Sequence, residues 1–276
     1  MSLSQPLPVL MYHHISPKPG LVTCSPENFR AQMAWLAKNG WTTLSTAAFA
    51  EAVASGQVPK KSVLVTFDDG YLDNWVYAHP VLQEFGQQAT IFLITGWIGE
   101  GAQRPHAGQP GVPDVPTHKQ AMAAAAEGKL DDAFLRWSEV EAMRAAGTVE
   151  FHSHTHSHTR WDRKIADQGE RDAALAEDLA ASRVTLAARL GQASPHLCWP
   201  QGYYDVAYQR VARAAGFTHL YTTEHGVARR DVDPARIPRL VAKDKPASWF
   251  GRRMGIYGNP LLSALYLGLK SGKKGH

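Results

Sequence analysis

Two adjacent aspartates follow a short apolar segment and are themselves followed by a glycine. The apolar run at 63–65 predicts a buried strand, and Gly70 predicts the turn that ends it. Asp68 and Asp69 are therefore expected at the carboxyl end of a core strand, where α/β folds place their chemistry. Neighbouring strand residues point to opposite sides, so a bend is needed before both carboxylates can serve one site. A strand end with a plain Asp-Gly turn is the alternative interpretation.

A histidine-rich segment at 151–158 follows another predicted strand. It holds four of the chain's 13 histidines. Neutral imidazole is the commonest side-chain ligand of zinc-like metals. His154 and His158 are four residues apart, and with Asp69 they would form a ligand set that leaves positions open for water and substrate. Such a set is typical of a catalytic site. A solvated histidine tract that binds metal adventitiously is the alternative.

Together, the segments 66–70 (TFDDG) and 153–158 (SHTHSH) resemble the first two motifs of the polysaccharide deacetylase (NodB-homology) family of carbohydrate esterases. The resemblance extends over residues 8–243. It implies a single α/β domain with a distorted (β/α) barrel, and metal-dependent hydrolysis of N-acetyl groups on amino sugars. By motif position it implies that Asp68 is the catalytic base and that the metal ligands are Asp69, His154 and His158.

The family's third motif usually ends in Pro-Tyr-Gly and contains an arginine. The matching stretch here, 198–204, keeps Pro200 and Gly202 but has Gln201 in place of the tyrosine and lacks the arginine. The resemblance implies that the backbone amide of Gln201 helps to hold the oxyanion, which any residue except proline can do. Arg239 is a candidate to orient Asp68 in place of the missing arginine, and a plain surface arginine is the alternative.

The family's usual last motif, a leucine-x-x-histidine near the C-terminus, is absent. The segment 8–15 (PVLMYHHI) instead resembles the opening of a permuted branch of the family, which includes deacetylases of poly-β-1,6-N-acetylglucosamine. The match implies that His13 is the catalytic acid. The apolar run at 9–12 independently predicts a buried strand that delivers His13 and His14 at its end. A structural histidine is the alternative, in which case the acid role would fall to His14 or elsewhere.

Predicted strands at 9–12, 41–44, 63–65, 89–94, 148–151 and 220–223 alternate with helical segments, which favours a parallel, barrel-type sheet within residues 1–248. The region 96–128 breaks this periodicity and is expected to be an irregular insertion, either a lid or groove wall or a floppy surface loop. Residues 249–276 form a basic and apolar tail. Such a tail suits peripheral contact with an anionic membrane, and a final helix docked on the barrel is the alternative.

The charge and the cysteine content limit which kinds of partner and which cellular compartment we expect for this chain. Lysine and arginine total 29 against 25 acidic residues, and no basic stripe interleaved with aromatics suggests a nucleic-acid surface. The two cysteines, Cys24 and Cys198, are too few for a disulfide framework. Residues 1–8 lack the basic and apolar regions of a signal peptide. We therefore expect a cytoplasmic protein, with peripheral contact at the inner face of the membrane as a further option.

These observations predict a metal-dependent N-deacetylase that acts on an N-acetylhexosamine glycan or a lipid-linked sugar and releases acetate. Zinc is the preferred cation for such a ligand set, with cobalt or nickel as alternatives. A catalytically silent glycan-binding protein on the same fold is the alternative function. A zinc amidohydrolase of another barrel family is a third interpretation. It rests on the spacing of His152 and His154, and its further metal ligands would have to come from His196, His219 and His225.

Overall fold

Parallel strands pair side by side and close into a ring. The computed structural model describes residues 4–271. Its strands are β1 (Val9–Tyr12), β2 (His14–Ile15), β3 (Thr23–Cys24), β4 (Thr42–Thr43), β5 (Ser62–Asp69), β6 (Ala89–Leu93), β7 (Val149–Ser153), β8 (His196–Cys198), β9 (His219–His225) and β10 (Ile237–Val241). The ring closes because β1 pairs with both β5 and β10, and β4 pairs with the first residues of β5. The predicted α/β fold of the distorted-barrel type is confirmed.

Helices connect most of the ring strands, because parallel strands need crossover connections. They are α1 (Pro26–Lys38), α2 (Thr46–Ser55), α3 (His79–Glu84), α4 (His118–Ala126), α5 (Trp137–Ala145), α6 (Trp161–Lys164), α7 (Gln168–Leu190), α8 (Val206–Ala214), α9 (Ala247–Tyr257) and α10 (Pro260–Ser271). A π-helical turn, Asn74–Ala78, precedes α3, and 3-10 turns lie at Leu130–Asp132 and Pro200–Gly202.

The ring strands are buried on both faces, and their alternation decides which side chains point inward. All eight residues of β5 are buried. Leu64 belongs to the cluster inside the ring, whereas Val63 and Val65 pack in the layer under the helices. By the same alternation Thr66 and Asp68 point inward. Strand β5 therefore delivers Asp68 into the ring at its carboxyl end.

Two ring strands, β8 and β10, were not predicted from the sequence. Strand β8 has three residues and β10 contains Pro238, so neither gives a strong strand pattern. Pro238 is tolerated within β10 because the register between β9 and β10 shifts between Ile237 and Arg239, which marks a β-bulge. The bulge lies next to Arg239, the candidate partner of Asp68.

The irregular segment 96–117 ends in α4 and is anchored to the barrel by a buried ion pair. Arg104 Nε donates to Glu139 Oε1 at 2.8 Å and Arg104 Nη2 donates to Glu139 Oε2 at 2.7 Å. Glu139 lies on α5 and is fully buried. The segment is therefore held against the barrel at this point, rather than projecting from it as the floppy-loop alternative requires.

The two last helices pack on the barrel one after the other. Helix α9 buries Phe250, Met254 and Tyr257. Helix α10 is joined to the body through Ser263, which is fully buried and accepts a hydrogen bond from Arg229 Nη2 at 2.7 Å. No helix within residues 4–271 combines the length and the apolar character needed to cross a membrane. The basic end of the predicted tail, at 272–276, lies outside the described residues.

The Arg104–Glu139 pair gives a test of how the segment 96–117 is anchored. We expect Arg104→Ala to lower the free energy of unfolding by about 3–5 kcal/mol, because it leaves the Glu139 carboxylate buried without a counter-ion. Urea denaturation measures the change. Arg30→Ala is the matched control, since Arg30 pairs with Glu84 on the surface, and should cost at most about 1 kcal/mol. Equal losses in the two variants would contradict this account.

Candidate metal and catalytic site

Asp68 and Asp69 both reach the rim of the ring because the backbone bends at Asp69. Asp69 has φ of 76° and Gly70 has φ of 80°, so the chain turns left-handed as β5 ends. Aspartate is among the few residues that tolerate this conformation. The bend is the one that the alternation of strand side chains requires before two neighbouring carboxylates can share a site. Both side chains are almost fully buried.

The histidine segment forms a tight loop beyond β7 that contains two further left-handed residues. Thr155 has φ of 65° and His158 has φ of 57°. Such conformations in non-glycine residues persist only where the surroundings impose them. Here Asp178 of α7 imposes them, since its Oδ1 accepts hydrogen bonds from the backbone amides of His156 and Ser157 at 3.0 and 2.8 Å. The loop is thus fixed from behind by a buried carboxylate.

Three side chains from β5 and this loop converge. Asp69 Oδ1 lies 3.2 Å from His154 Nε2 and 3.4 Å from His158 Nε2. Ligand atoms of these three residues all lie within 4.8 Å of one another. The structure therefore brings together the three residues that the sequence predicted as metal ligands.

The chemistry of these atoms fits a cation. His154 Nδ1 lies 2.8 Å from the carbonyl oxygen of Cys198, which can only accept, so Nδ1 carries the proton and Nε2 bears the lone pair. Asp69 Oδ1 is buried and has no hydrogen-bond partner among the described residues. Burial lowers the pKa of His158 to about 4, so its imidazole is neutral at pH 7. Burial opposes protonation of His154, but Cys198 and Asp69 raise its pKa, so a metal that binds Nε2 would have to displace a proton shared with Asp69. The arrangement places one carboxylate oxygen opposite two imidazole Nε2 atoms, a donor set suited to a divalent metal.

Asp68 is held by a bidentate ion pair with Arg239 inside the ring. Arg239 Nη1 and Nη2 donate to Asp68 Oδ1 and Oδ2 at 2.7 and 2.8 Å, and Arg239 Nε donates to the carbonyl oxygen of Thr222 at 2.8 Å. Burial alone would raise the pKa of Asp68, but the charge and hydrogen bonds of Arg239 hold it below its usual value. The alternative of a surface arginine is wrong, because only 1% of Arg239 is exposed.

His13 and His14 diverge at the end of β1. His13 Nε2 lies 3.8 Å from Asp68 Oδ2, and the His13 side chain is 18% exposed. Burial lowers the pKa of His13, while the carboxylates of Asp68 and Asp69 oppose that shift. His14 is buried behind the site, with Nδ1 2.6 Å from Asp73 Oδ2. Of the two, His13 is the one next to Asp68.

Gln201 lies at a left-handed turn beside the metal-ligand set. It has φ of 55°, and Gly202 after it has φ of 69°. A Cβ on Gly202 would lie 2.1 Å from Thr223 Oγ1, so only glycine fits there. The amide of Gly202 donates to Trp199 O and the amide of Tyr203 donates to Pro200 O. The backbone amide of Gln201 thus stays the candidate oxyanion donor, as predicted from the third motif.

All the predicted site residues except Arg239, which lies behind Asp68, line one cavity of about 200 Å³. Gly202 of the third motif also lines the cavity, and several further lining residues were not predicted from the sequence. They are Leu21, Val22, His118, Met122, Trp199 and Thr223. His118 and Met122 lie on α4, so the irregular insertion contributes part of the cavity wall. Their only sequence signal was the position of the insertion after a strand.

A second histidine cluster lies away from this cavity. His152 and His196 have ring centroids 4.8 Å apart, and His196 stacks on His219 at 4.7 Å. Both ring nitrogens of His152 face hydroxyl groups, those of Ser194 and Thr46. Within residues 4–271, no set of three metal-ligand atoms forms among these histidines. The amidohydrolase interpretation, which needed them as ligands, is therefore wrong.

The profile of the polysaccharide deacetylase family matches residues 55–220, more than half of the chain. The chain belongs to the polysaccharide deacetylase family. The Bacillus subtilis (strain 168) protein YxkH, which carries the same family name, is 30% identical to this polysaccharide deacetylase over 247 residues, covering 89% of this chain and 75% of that protein. The poly-β-1,6-N-acetyl-D-glucosamine N-deacetylase of Staphylococcus aureus (strain N315) is 25% identical, covering 80% of this chain and 68% of that enzyme.

Solved structures support the fold of this polysaccharide deacetylase. IcaB from Ammonifex degensii superimposes with a TM-score of 0.70 at 22% identity, covering 93% of this chain and 99% of that one. The Streptococcus pyogenes deacetylase PplD, solved in complex with acetate, gives 0.71 at 21% identity, with coverages of 90% and 97%. The resemblance predicted from the motifs, including the poly-N-acetylglucosamine branch, is confirmed. Two departures in the third motif, Gln201 and the missing arginine, supported the alternative of a silent glycan-binding protein, and Arg239 provides Asp68 with an arginine partner.

The Asp68–Arg239 pair predicts a pH-dependent loss of stability. We expect Arg239→Met to lower the free energy of unfolding by about 3–5 kcal/mol at pH 7, because Asp68 stays buried without its counter-ion. With Arg239 present, the pKa of Asp68 lies below its unfolded value, so the pair contributes stability above pH ~4 and loses it as the pH falls. Without Arg239, burial raises the pKa of Asp68, so its carboxyl takes up a proton as the pH falls towards 4. The loss in the variant should therefore be smaller at pH 4 than at pH 7.

Urea denaturation of both proteins at the two pH values measures this difference. Arg236→Met is the matched control, since Arg236 forms an exposed pair with Glu224. It should cost at most about 1 kcal/mol at either pH. A loss in Arg239→Met that does not change with pH would show that Asp68 does not depend on this arginine for its charge.

Proposed function

We propose that this polysaccharide deacetylase hydrolyses the acetamide of an N-acetylhexosamine unit, releasing acetate and a free amine, with zinc as its preferred cation. The single observation that carries the proposal is the convergence of Asp69, His154 and His158 beside Asp68 in one cavity, with Arg239 bound to Asp68 from behind. When bound to those three residues, a divalent cation would polarise the acetamide carbonyl and increase the acidity of the attacking water. Cobalt or nickel would suit the same ligands.

The residues around the ligand set divide the proton transfers. Asp68 removes a proton from the attacking water, and Arg239 keeps this base ionised inside the ring. The backbone amide of Gln201 donates to the developing oxyanion. His13, in its protonated form, delivers a proton to the leaving amine, for which its place next to Asp68 at the cavity is suitable. Amines are poor leaving groups, so this last transfer matters for turnover.

The names of the relatives narrow the choice of substrate. Those from Escherichia coli (strain K12) and Staphylococcus aureus are named as deacetylases of poly-β-1,6-N-acetyl-D-glucosamine, and the chain spans 33% of the Escherichia coli enzyme. An N-acetylglucosamine polymer or oligosaccharide is therefore the substrate we propose to test first. A lipid-linked sugar at the inner face of the membrane, which would fit a cytoplasmic location, is the second.

Acetate release from a β-1,6-linked N-acetylglucosamine pentasaccharide tests the proposal. We expect the full chain to release acetate, to lose this activity after dialysis against a chelator, and to regain it with zinc. Asp68→Asn should lower turnover by at least about 10²-fold, because it removes the base. Asp69→Asn should also lower the zinc content measured by elemental analysis, since Asp69 is a proposed ligand.

Asp114→Asn serves as the matched control, because Asp114 is an exposed acid that pairs with Lys18 on the surface. This variant should keep both activity and zinc. Chelator-resistant acetate release would contradict a metal-dependent mechanism. Absence of acetate release from the zinc-loaded chain, with oligosaccharide binding retained, would favour the silent glycan-binding alternative.

We also propose that α10 contacts an anionic lipid surface. One side of α10 is docked on the barrel through Ser263 and through Tyr266, whose ring lies 5.9 Å from that of Tyr257. The other side exposes four leucines, which are Leu261, Leu262, Leu265 and Leu269. The sequence places lysines at 270, 273 and 274 directly after this apolar face. Exposed leucines next to cations match the chemistry of an anionic bilayer surface.

Vesicle sedimentation tests the lipid contact. We expect binding to vesicles of mixed phosphatidylglycerol and phosphatidylcholine, and weaker binding to phosphatidylcholine alone. The double variant Leu261→Glu/Leu265→Glu should bind at least roughly 10-fold more weakly, because it removes apolar surface and adds negative charge. Val184→Glu, an equally exposed site on α7, should bind as the unmodified chain does. Equal binding to both vesicle types, or a dimer dissolved by the double variant, would overturn the proposal.

A further inference from the structure

A buried chain of hydrogen bonds behind the cavity has no part in the proposed chemistry. His14 and Asp73 are each 1% exposed, and His14 Nδ1 lies 2.6 Å from Asp73 Oδ2. The His14 ring stacks on Tyr71 with centroids 3.6 Å apart. His14 Nε2 lies 3.3 Å from Nδ1 of His118, which lines the cavity from α4. The buried residues Asp73 and His14 thus fix the orientation of the His118 ring at the cavity wall.

The partners of Asp73 decide where the protons lie along this chain. Asp73 Oδ1 accepts from the amide of Ile15 at 3.1 Å and from Asn74 Nδ2 at 2.9 Å. A carboxylate accepts hydrogen bonds, so His14 Nδ1 is the donor to Asp73 Oδ2. With that single proton on the His14 ring, Nε2 bears the lone pair, so His118 Nδ1 is the donor to it.

His118 therefore presents an acceptor to the cavity. Its Nδ1 faces His14 and lies 3.2 Å from the Tyr71 hydroxyl oxygen, so the other ring nitrogen, Nε2, faces away from both. With the proton on Nδ1, Nε2 bears the lone pair. Burial, and then His14, lower the pKa of His118, which agrees with a neutral ring at pH 7. An acceptor fixed in this way fits a ligand group that donates a hydrogen.

We propose that His118 Nε2 accepts a hydrogen bond from the 3-hydroxyl of the N-acetylhexosamine unit whose acetamide is cleaved. The inference rests on the proposed function. His118 shares a cavity of about 200 Å³ with the three metal-ligand residues, so the group that it contacts must lie next to the acetamide. The acetamide is on carbon 2 of the sugar. The acetamide N–H belongs to the group that reacts, and the oxygen on carbon 1 belongs to the glycosidic bond and has no hydrogen. The 3-hydroxyl is therefore the neighbouring donor on the sugar ring.

The His118 contact would distinguish sugars by the group on oxygen 3. A unit with an ether at oxygen 3 has no hydrogen to donate and would direct an oxygen lone pair at the lone pair of His118 Nε2. Units with a free 3-hydroxyl are therefore substrates, and units with a 3-ether are poor ones. The irregular insertion that carries α4 would thereby select the sugar, while the barrel rim carries the chemistry.

A comparison of two substrates in two enzymes tests the contact. The substrates are an N-acetylglucosamine oligosaccharide and its 3-deoxy-3-fluoro analogue, because fluorine is small and cannot donate. We expect the unmodified enzyme to prefer the hydroxyl substrate by about 10-fold or more in kcat/KM, the usual value of one neutral hydrogen bond. His118→Ala should lose this preference. His106→Ala is the matched control, since His106 lies in the same insertion beside Trp75 and should keep the preference.

Asp73→Asn tests the proton positions without changing His118. Asp73 Oδ1 must keep accepting from Ile15 and Asn74, so the new amide would direct its NH₂ group at His14 Nδ1. The proton of His14 would then move to Nε2 and that of His118 to its own Nε2, which becomes a donor. We expect this variant to tolerate the fluorinated substrate better than the unmodified enzyme does. A purely structural role for Asp73 would lower activity on both substrates equally.

The outcomes separate this inference from the proposed function. If the unmodified enzyme releases acetate but shows no preference between the substrates, or if His118→Ala keeps the preference, the His118 contact is wrong and the deacetylase function stands. If His118→Ala lowers kcat equally on both substrates with KM unchanged, His118 acts in proton transfer and the contact is also wrong. If the zinc-loaded enzyme releases no acetate from either substrate, the proposed function itself fails.

Discussion

The ion pair between Asp68 and Arg239 joins two ring strands that do not pair with each other. Asp68 ends β5, Arg239 lies on β10, and β1 lies between these strands and pairs with both. The pair is sealed inside the ring, where the loss of hydration is costly and only good geometry compensates for it. Arg239 meets this requirement with a bidentate contact to the carboxylate and a third hydrogen bond to the carbonyl oxygen of Thr222.

This pair also places His13. Strand β1 lies between the strands that carry Asp68 and Arg239. His13, which follows β1, therefore reaches the rim next to Asp68. The parallel ring then brings the end of β5 and the loop after β7 to the same edge. Three segments far apart in sequence meet there because parallel strands all end on one side of the sheet. The site is thus a consequence of strand direction and of one left-handed bend at Asp69.

Local sequence patterns were sufficient to predict the central strands and the metal-ligand set. An apolar run followed by two aspartates predicts a buried strand end, and a histidine pair four residues apart predicts a ligand loop. Strands β8 and β10 were not predictable in this way, because one has three residues and the other contains a proline. The role of Arg239 could be stated only as one of two options, since its burial depends on the register shift between β9 and β10.

Contacts between distant segments were the least predictable part of the site. His14 and His118 are 104 residues apart, and no periodic pattern connects them. Spacing alone does not distinguish His152, whose nitrogens face hydroxyl groups, from His154, whose Nε2 faces Asp69, and only the resemblance to the family's second motif selected His154. Both lie on the inward face of the same strand and its extension, two residues apart. Their different neighbours arise from depth in the ring, which composition does not encode.

The hydrogen bonds from the histidine loop to Asp178 make the site sensitive to the length of a helix distant in sequence. Helix α7 has 23 residues, and Asp178 lies near its middle. Inserting one residue before Asp178 would turn the carboxylate by roughly 100° about the helix axis and shift it by about 1.5 Å, away from the amides of His156 and Ser157. Length changes after Asp178 leave this contact in place. Homologous chains and designed variants should therefore tolerate insertions at the end of α7 much better than at its beginning.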